Sequence, residues 1–137
     1  MDLKAGLMSC AAIVVGDDDT SVAVGSGDVP VLATPRLLAL AEAAAVAAIA
    51  PALEPGLTSV GTSAMIEHTL ASPVGVSVSA EAELIRVDGR RLAFRFLAWH
   101  VRPGAADSDR EIVAVGTMER ALVDRERFIS SSRTRRK

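Results

Sequence analysis

The stretch VLATPRLLALAEAAAVAAIAP, residues 31–51, predicts one long apolar helix around which the rest of the fold is built. Every residue from 37 to 50 is apolar except Glu42. A helix that is apolar on all sides has to be buried, and a carboxylate inside such a helix costs free energy unless a partner compensates it. The stretch therefore predicts a buried central helix and raises the question of what Glu42 contacts.

Both ends of this helix carry boundary signals. Thr34 followed by Pro35 is typical of a helix start, with a capping hydroxyl and a proline at the first helical position. Pro51 ends the helix, because proline lacks the backbone N–H that a continuing helix needs, and the sequence LEPGL that follows it indicates a turn. The helix is therefore expected to have about four to five turns.

Composition restricts the class of protein. Half of the 137 residues are hydrophobic and the formal net charge is −2, which predicts one globular domain and gives no indication of a nucleic-acid partner. The single cysteine, Cys10, excludes an intrachain disulfide and a cysteine-based zinc site, and it fits a cytoplasmic protein. The apolar run of about 14 residues is shorter than the roughly 20 that span a bilayer, so we expect a soluble protein with no membrane partner.

After the helix, apolar residues recur with a period of two, which is typical of strands with one buried face. The alternation places Thr62 and His68 on the buried face of the first of these strands. The sequence VDGRR at 87–91 has Asp-Gly between two strand patterns, which is a strong hairpin signal. The predicted strands are two short runs before the helix, 7–15 and 21–24, and longer ones at 61–71, 75–87, 90–101 and 111–123.

The order of short strands, one long apolar helix and long antiparallel strands predicts an α+β domain whose sheet packs its apolar face on the helix. Period alone does not separate this from other α+β sheets; the fold class we expect is an antiparallel five-stranded sheet wrapped around one long apolar central helix. Strands long enough to wrap a single helix favour the hot-dog arrangement, which generally forms dimers because one helix cannot cover a five-stranded sheet on both sides. We expect this single domain to span residues 1–128. Residues 129–137 are polar and basic, and they are predicted to form a frayed C-terminal tail rather than a nucleic-acid arm.

Four polar residues fall where the pattern predicts buried or apolar surroundings, and each has a structural and a functional interpretation. Glu42 either reaches the surface or compensates a buried partner, and His68 is either a satisfied core histidine or a base. Thr34 either caps the helix or presents its hydroxyl at the positive helix end. Arg120 either forms a salt bridge at a strand end or binds an acid or an anionic ligand. Because a small core leaves a buried acid and a buried imidazole little room apart, we expect Glu42 to orient His68.

Common catalytic and metal-binding motifs are absent from the sequence. It contains no GxSxG, P-loop, HExxH or CxxC, and GSGDVP at 25–30 fails the dinucleotide-binding pattern. The two histidines lie 32 residues apart on separate predicted strands, so no metal site is predicted. His100 precedes a predicted loop and is expected at the surface.

The motifs and their spacing resemble those of a known family. The matching segments run from about residue 31 to 123 and keep their order and spacing nearly without gaps. They are ATP at 33–35, Glu42 eight residues after Thr34, APALEPG at 50–56, VGTSAMIEHTLASPVG at 60–75, VDGRR at 87–91 and GTMER at 116–120. The chain resembles the hot-dog thioesterases related to the fluoroacetyl-CoA thioesterase.

The resemblance implies which residues act. It assigns Thr34, Glu42 and His68 to the catalytic constellation, Gly61 to binding of the thioester, and Arg120 to the site. It also implies an acyl-CoA substrate, no cofactor, no metal and a homodimer or higher homo-oligomer.

One segment departs from the family pattern. The fluoroacetyl-specific enzyme has phenylalanines in a lid before the threonine, whereas VGSGDVPVL at 24–32 contains no aromatic residue. We therefore expect a different acyl group, small or medium in size, and a more open or differently gated acyl pocket.

Two functions remain open at this point. In the first, His68, oriented by Glu42, acts as general base, and Thr34 is either the nucleophile or the group that positions water. In the second, the same fold is a non-catalytic acyl-CoA-binding module. A hot-dog dehydratase is less favoured, because that class typically pairs a histidine with an acid in a different order along the chain.

Overall fold

The computed structural model describes residues 2–134. Within this range the chain has five strands and three helices, together with short 3-10 turns at Asp17–Asp19, Ala50–Ala52 and Asp107–Asp109. In chain order the elements are β1 (Met8–Val14), α1 (Ser21–Val24), α2 (Thr34–Ile49), β2 (Leu57–His68), β3 (Ser77–Asp88), β4 (Arg91–Val101), β5 (Glu111–Asp124) and α3 (Arg125–Thr134).

The strands form one antiparallel sheet in the order β1-β3-β4-β5-β2. β3 and β4 are joined by the predicted hairpin, in which Asp88 pairs with Arg91 and Gly89 adopts a positive φ of 61°. The five-stranded antiparallel sheet on one long helix agrees with the sequence prediction. β1 and β2 lie at the two edges, and β2 carries the segment that the sequence singles out for function.

The core lies between α2 and the inner face of the sheet. β3 and β4 contribute alternating buried residues, as a period of two requires. α2 packs mainly on β1 and β3, with few contacts to β2. Its buried residues are Leu37, Leu40, Ala41, Ala44, Ala45, Ala48 and Ile49. Because the helix lies over one side of the sheet, the inner face of β2 is left largely exposed.

The helix is buried on one side only, which corrects the expectation of burial all round. Val46 is 45% exposed, and Ala43 and Ala47 are exposed on the same side, because a single helix can touch the sheet along only one face. The helical stretch Thr34–Ala52 has 19 residues and is long and apolar enough to span a membrane by length and composition alone. In this fold its buried face packs on the sheet as the core helix.

The start of α2 also differs from the prediction. The N-cap is Ala33, whose backbone is extended, so Thr34 is the first helical residue and Pro35 the second. The Thr34 hydroxyl does not cap the helix and instead forms a hydrogen bond with His68.

Strand β2 contains an irregularity that changes which residues face the helix. Gly61 pairs with Arg120 and Ser63 pairs with Glu119, so Thr62 is an extra residue, and its hydroxyl donates to the carbonyl of Glu119 at 3.2 Å. Residues seven apart point to opposite faces of a regular strand. The bulge at Thr62 restores the phase, so Gly61 faces the helix together with His68, and the prediction that Thr62 does so is wrong.

Two further segments differ from their predicted state. Residues Ser21–Val24 form a single helical turn rather than a strand, because Thr20 accepts a hydrogen bond from the backbone N–H of Ala23 and Gly25 closes the turn with φ 86°. The basic tail is helical through Thr134, and the Asp124 carboxylate accepts the backbone N–H of Arg127 at the start of this helix. The last three residues of the predicted tail, 135–137, lie outside the described residues.

His100 is fully buried, so its predicted surface position is wrong. The alternation along β4 continues to this residue, and a hydrogen-bonded partner on each ring nitrogen compensates the burial of the imidazole.

We expect Gly116→Ala to destabilise the fold. A Cβ at Gly116 would collide with the carbonyl oxygen of Met65 and lie 2.5 Å from the Phe96 ring, so β2, β4 and β5 could not keep their spacing. Overpacking of this kind costs about 1–3 kcal/mol of unfolding free energy, measurable by urea titration. Gly16→Ala is the control, because its Cβ would meet only the Asp19 carboxylate at 3.6 Å. Equal stability of the two variants would contradict the close packing.

Candidate active site

The first part of the candidate site joins the start of α2 to the end of β2. Thr34 is the first residue of α2 and His68 is the last residue of β2. Their side chains form a hydrogen bond of 2.8 Å between the threonine Oγ1 and the imidazole Nδ1. Thr34 is exposed and His68 is half-buried, so the hydroxyl is accessible while the ring is partly shielded from water.

His68 is held close to its neutral form. Burial lowers the pKa of His68 from its ordinary value, and a backbone hydrogen bond with Leu70 opposes this effect only in part. Within residues 2–134, the buried Nε2 of His68 has no hydrogen-bond partner. A neutral imidazole beside a hydroxyl can accept its proton, so this pair has the composition of a nucleophile or a water-positioning group with its base.

The second part of the site is an ion pair about 12 Å further along α2. Arg120 Nη1 donates to Glu42 Oε2 at 3.0 Å, and the arginine also donates from Nε to the Ser59 hydroxyl at 2.8 Å and from Nη2 to the Ser59 carbonyl at 3.0 Å. Arg120 is 7% exposed and each of its three nitrogens has a partner. The expectation that a buried Arg120 binds an acid agrees with this geometry.

Glu42 therefore has a different partner from the one expected for it. Its carboxylate pairs with Arg120 in this chain, and the partner of His68 is Thr34. The reason is geometric, because α2 and β2 lie side by side with opposite directions: the start of the helix meets the end of the strand, and Glu42 meets the region of Gly61. The Glu42 side chain remains 40% exposed, so it both reaches solvent and binds the arginine.

Gly61 is required by the close approach of strand and carboxylate. A Cβ at this position would lie 2.7 Å from Glu42 Oε2 and 3.5 Å from Arg120 Nη1. The absence of a side chain brings the Gly61 backbone directly against the ion pair and leaves the strand open to a ligand.

The helix dipole favours a negative group at the start of α2. The first turn of a helix carries partial positive charge on its free N–H groups, and Thr34 lies there. Arg36, in the same turn, pairs with Asp19 at 2.8 Å. A hydrogen bond from the Gly16 backbone, followed by Arg36, lowers the pKa of the Asp19 carboxyl, although burial opposes this.

No cluster of three metal-ligating side chains occurs among residues 2–134.

The five residues predicted for the site thus fall into two groups in the space between α2 and the inner face of β2, two elements that make few contacts with each other; we call this space the groove. Thr34 and His68 form one group, and Glu42, Arg120 and Gly61 form the other. Sequence reasoning missed Ser59, which holds the guanidinium with both its hydroxyl and its carbonyl. Ser59 lies two residues before Gly61 and therefore on the same side of the strand, and this spacing could have identified it from the sequence.

Comparison with known proteins gives a consistent result. The family described as the fluoroacetyl-CoA-specific thioesterase matches residues 15–126. The fluoroacetyl-CoA thioesterase of Streptantibioticus cattleyicolor is 41% identical over 98 residues, which cover 72% of this chain and 65% of that protein.

Solved structures extend this result to the fold. One of the fluoroacetyl-CoA thioesterase FlK superposes with a TM-score of 0.84 at 32% identity and full coverage of both chains, and variants of FlK have been solved with acetyl-CoA and with fluoroacetate and CoA. A hot-dog-like protein from Thermanaerovibrio acidaminovorans superposes with a TM-score of 0.79 at 21% identity, covering 97% and 94% of the two chains.

We expect His68 to titrate below the ordinary histidine pKa of about 6.5, because burial favours its neutral form. A base whose pKa is lowered by folding stabilises the fold above the unfolded pKa, and that contribution is lost as the pH falls below it. The midpoint can be read from the imidazole carbon-bound proton signals by NMR, with His68→Gln to assign the two histidines. A midpoint at or above 6.5 would contradict the structure.

Proposed function

This chain is a member of the fluoroacetyl-CoA-specific thioesterase family, and on that premise we propose that it hydrolyses a small or medium acyl-CoA thioester to the free acid and CoA. The observation that carries this proposal is the 2.8 Å hydrogen bond between Thr34 and His68 at the positive end of α2. It supplies a hydroxyl, a neutral base and a favourable field at one point of an exposed groove.

His68 is the general base in this mechanism. Its Nδ1 takes a proton from the Thr34 hydroxyl, or from a water molecule that the hydroxyl positions, as the oxygen attacks the thioester carbonyl carbon. The tetrahedral intermediate then breaks the C–S bond, and the departing CoA thiolate takes the proton from His68. If Thr34 itself is the nucleophile, water hydrolyses the resulting ester in a second round. A positioned base contributes roughly 10² to 10⁴ in rate.

The second group of residues stabilises charge and binds substrate. The backbone N–H of Gly61 is suited to the developing oxyanion, and removal of one such donor typically costs about 3 kcal/mol. Glu42 and Arg120 form a pair without net charge, which adds a hydrogen-bond acceptor to the groove without adding a net field. We assign Arg120 the role of fixing the position of this carboxylate.

The two groups become one site if two chains pair through β2. Among residues 2–134, the outer edge of this twelve-residue strand pairs with no other strand, and a long free edge is a template for a second chain. A two-fold axis at Met65 gives an antiparallel pair in which the bulge at Thr62 brings Gly61 opposite the partner's His68. We propose a homodimer with this register.

The dimer accounts for two features of a single chain: Glu42 lies apart from His68, and the Nε2 of His68 has no partner among residues 2–134. It brings Glu42 towards the partner's His68, whose buried Nε2 has no hydrogen-bond acceptor among residues 2–134 of its own chain. With Nε2–H donating to Glu42, Nδ1 carries the lone pair that accepts the Thr34 proton. The role expected for Glu42, that of orienting the base, is then performed across the interface.

The acyl group is proposed from the segment that precedes α2. Residues 24–32 contain no aromatic side chain, and the side chains of Val22, Val24 and Val29 in this region are exposed. Without large rings over the groove, we expect hydrolysis of several small or medium acyl-CoA thioesters rather than selection of fluoroacetyl-CoA alone. The rates for a panel of acyl-CoAs, followed by thiol release, measure this selectivity.

His68→Ala is expected to lower kcat/KM by about 10² to 10⁴, since it removes the base. Thr34→Val is expected to lose activity comparably, and Thr34→Ser to retain most of it. In the wild type kcat/KM should rise with pH with a midpoint below pH 6.5, because burial lowers the pKa of His68 from that ordinary value. Release of free thiol from acetyl-, propionyl- and arylacetyl-CoA measures turnover.

Glu67→Gln is the control for these variants, because it changes the exposed neighbour of His68 on the opposite face of β2. Full activity of a folded His68→Ala variant would reject the mechanism. Stabilisation by acyl-CoA without any turnover of the wild type would favour the non-catalytic binding module.

Mixed dimers test the composite site. Glu42→Gln and His68→Ala homodimers should both be impaired, whereas a heterodimer of the two, co-expressed with different tags, has one site with all wild-type residues. We expect the heterodimer to recover about half of the wild-type activity. A heterodimer no more active than the mean of its parents would place Glu42 and His68 of a single chain in one site and reject the proposed register.

A further inference from the structure

A row of three polar side chains, two of them buried, lies beside the candidate site without being part of it. The Ser72 hydroxyl is 2.7 Å from His100 Nδ1, and His100 Nε2 is 3.1 Å from Glu111 Oε1. Ser72 and His100 are both fully buried, whereas the Glu111 side chain is 46% exposed. Neither the proposed mechanism nor the core packing uses this row.

The three residue types are those of a nucleophilic triad, but burial excludes that role. A serine with no exposed surface cannot attack a substrate. The function of the row therefore depends on which parts of the chain the buried serine holds in place.

Ser72 lies at the crossing of the two segments that carry the Thr34–His68 pair. It is four residues after His68, and its carbonyl accepts the backbone N–H of Leu32, two residues before Thr34, at 2.8 Å. The next residue, Pro73, forms a bridge with Val31. The segment that follows His68 is therefore hydrogen-bonded directly to the segment that precedes Thr34.

The side chains attach this crossing to the sheet. Through its hydroxyl, Ser72 is bound to His100 on β4, and through the other ring nitrogen His100 is bound to Glu111 at the start of β5. The hydrogen bond with His100, followed by the charge of Arg102, lowers the pKa of the Glu111 carboxyl, so it is an ionised acceptor. With Nε2–H donating to Glu111, Nδ1 accepts a hydrogen bond from the Ser72 hydroxyl, and the polar side-chain atoms of the two buried residues, Ser72 and His100, are all paired.

We propose that the Ser72–His100–Glu111 row positions the Thr34–His68 pair, by fixing the crossing of the two segments from which these side chains extend. This inference rests on the proposed thioesterase function for its effect on rate, although its geometric consequence is independent of it. Ser72, His100 and Glu111 touch neither substrate nor reacting atoms in this scheme and are positioning residues. Loss of the row lets the hydroxyl and the base drift apart, and a displacement of about 1 Å can cost a hundredfold in rate.

The experiment compares variants that break or keep the row. Ser72→Ala removes the donor to Nδ1, and Glu111→Ala removes the acceptor from Nε2. Glu111→Gln keeps an amide oxygen that can accept from Nε2–H and is the conservative rescue. We expect kcat to fall about ten- to a hundredfold for Ser72→Ala with KM little changed, several-fold for Glu111→Ala, and hardly at all for Glu111→Gln.

A second measurement reports geometry without turnover. The ¹⁵N chemical shift of His68 Nδ1 is sensitive to its hydrogen bond with Thr34, and Thr34→Val gives the value for the broken bond. In Ser72→Ala we expect this shift to move towards the Thr34→Val value. The control is Leu84→Val, which removes one methylene from a fully buried side chain in the far half of β3 and should lower stability without moving the shift or kcat.

The outcomes separate this inference from the proposed function. A folded Ser72→Ala variant with unchanged kcat and an unchanged His68 signal would overturn the positioning role. An equal loss of kcat in Leu84→Val would overturn it as well, because the effect would then follow stability alone. If the wild type hydrolyses no acyl-CoA, the proposed function fails, and the His68 signal in Ser72→Ala still decides whether the row holds the pair.

Discussion

The packing of α2 on β1 and β3 is the contact on which the arrangement of this molecule depends. The small side chains of its buried face allow the helix to lie close to that half of the sheet, and the inner side of β2 consequently stays uncovered. The polar groups that remain between helix and strand must reach across a groove. Two contacts span this groove: Thr34 with His68 at the start of α2, and Glu42 with Arg120 further along the helix. The packing of α2 on β1 and β3, which forms the core, therefore also creates the candidate site.

Much of the fold could be predicted from two hydrophobic patterns in the sequence. The uniform apolar run and the alternation after it predicted one helix and a five-stranded antiparallel sheet, and both the fold and the thioesterase family that the motifs resemble are confirmed. Local details depended on contacts that a linear pattern does not contain. Thr20 and Gly25 turn a short apolar run into a helical turn, and the bulge at Thr62 reverses the phase of β2.

The candidate residues of the site could be chosen from the sequence, whereas their partners could not. Three residues were exceptions to the hydrophobic pattern: Glu42, a lone acid in an apolar helix; His68, a histidine among apolar neighbours; and Arg120, an arginine at a strand position predicted to face inward. Which of them meet depends on the relative direction of α2 and β2, and this direction pairs Glu42 with Arg120. His100 was misplaced at the surface because its neighbouring loop dominated the local pattern, while the two residues that satisfy its ring, Ser72 and Glu111, lie 28 and 11 positions away.

The bulge at Thr62 has a consequence for how this family of sequences can vary. If Thr62 were a regular residue of the ladder, the separation of seven residues would place Gly61 and His68 on opposite faces of the sheet. Insertion or deletion of one residue between Ser63 and Glu67 would also separate the functional groups, even though every one of them was still present, whereas deletion of Thr62 itself leaves them six residues apart and on the same face. The phase of β2 between these two residues therefore constrains which changes of chain length the strand tolerates, in addition to constraining which residues stand at its functional positions.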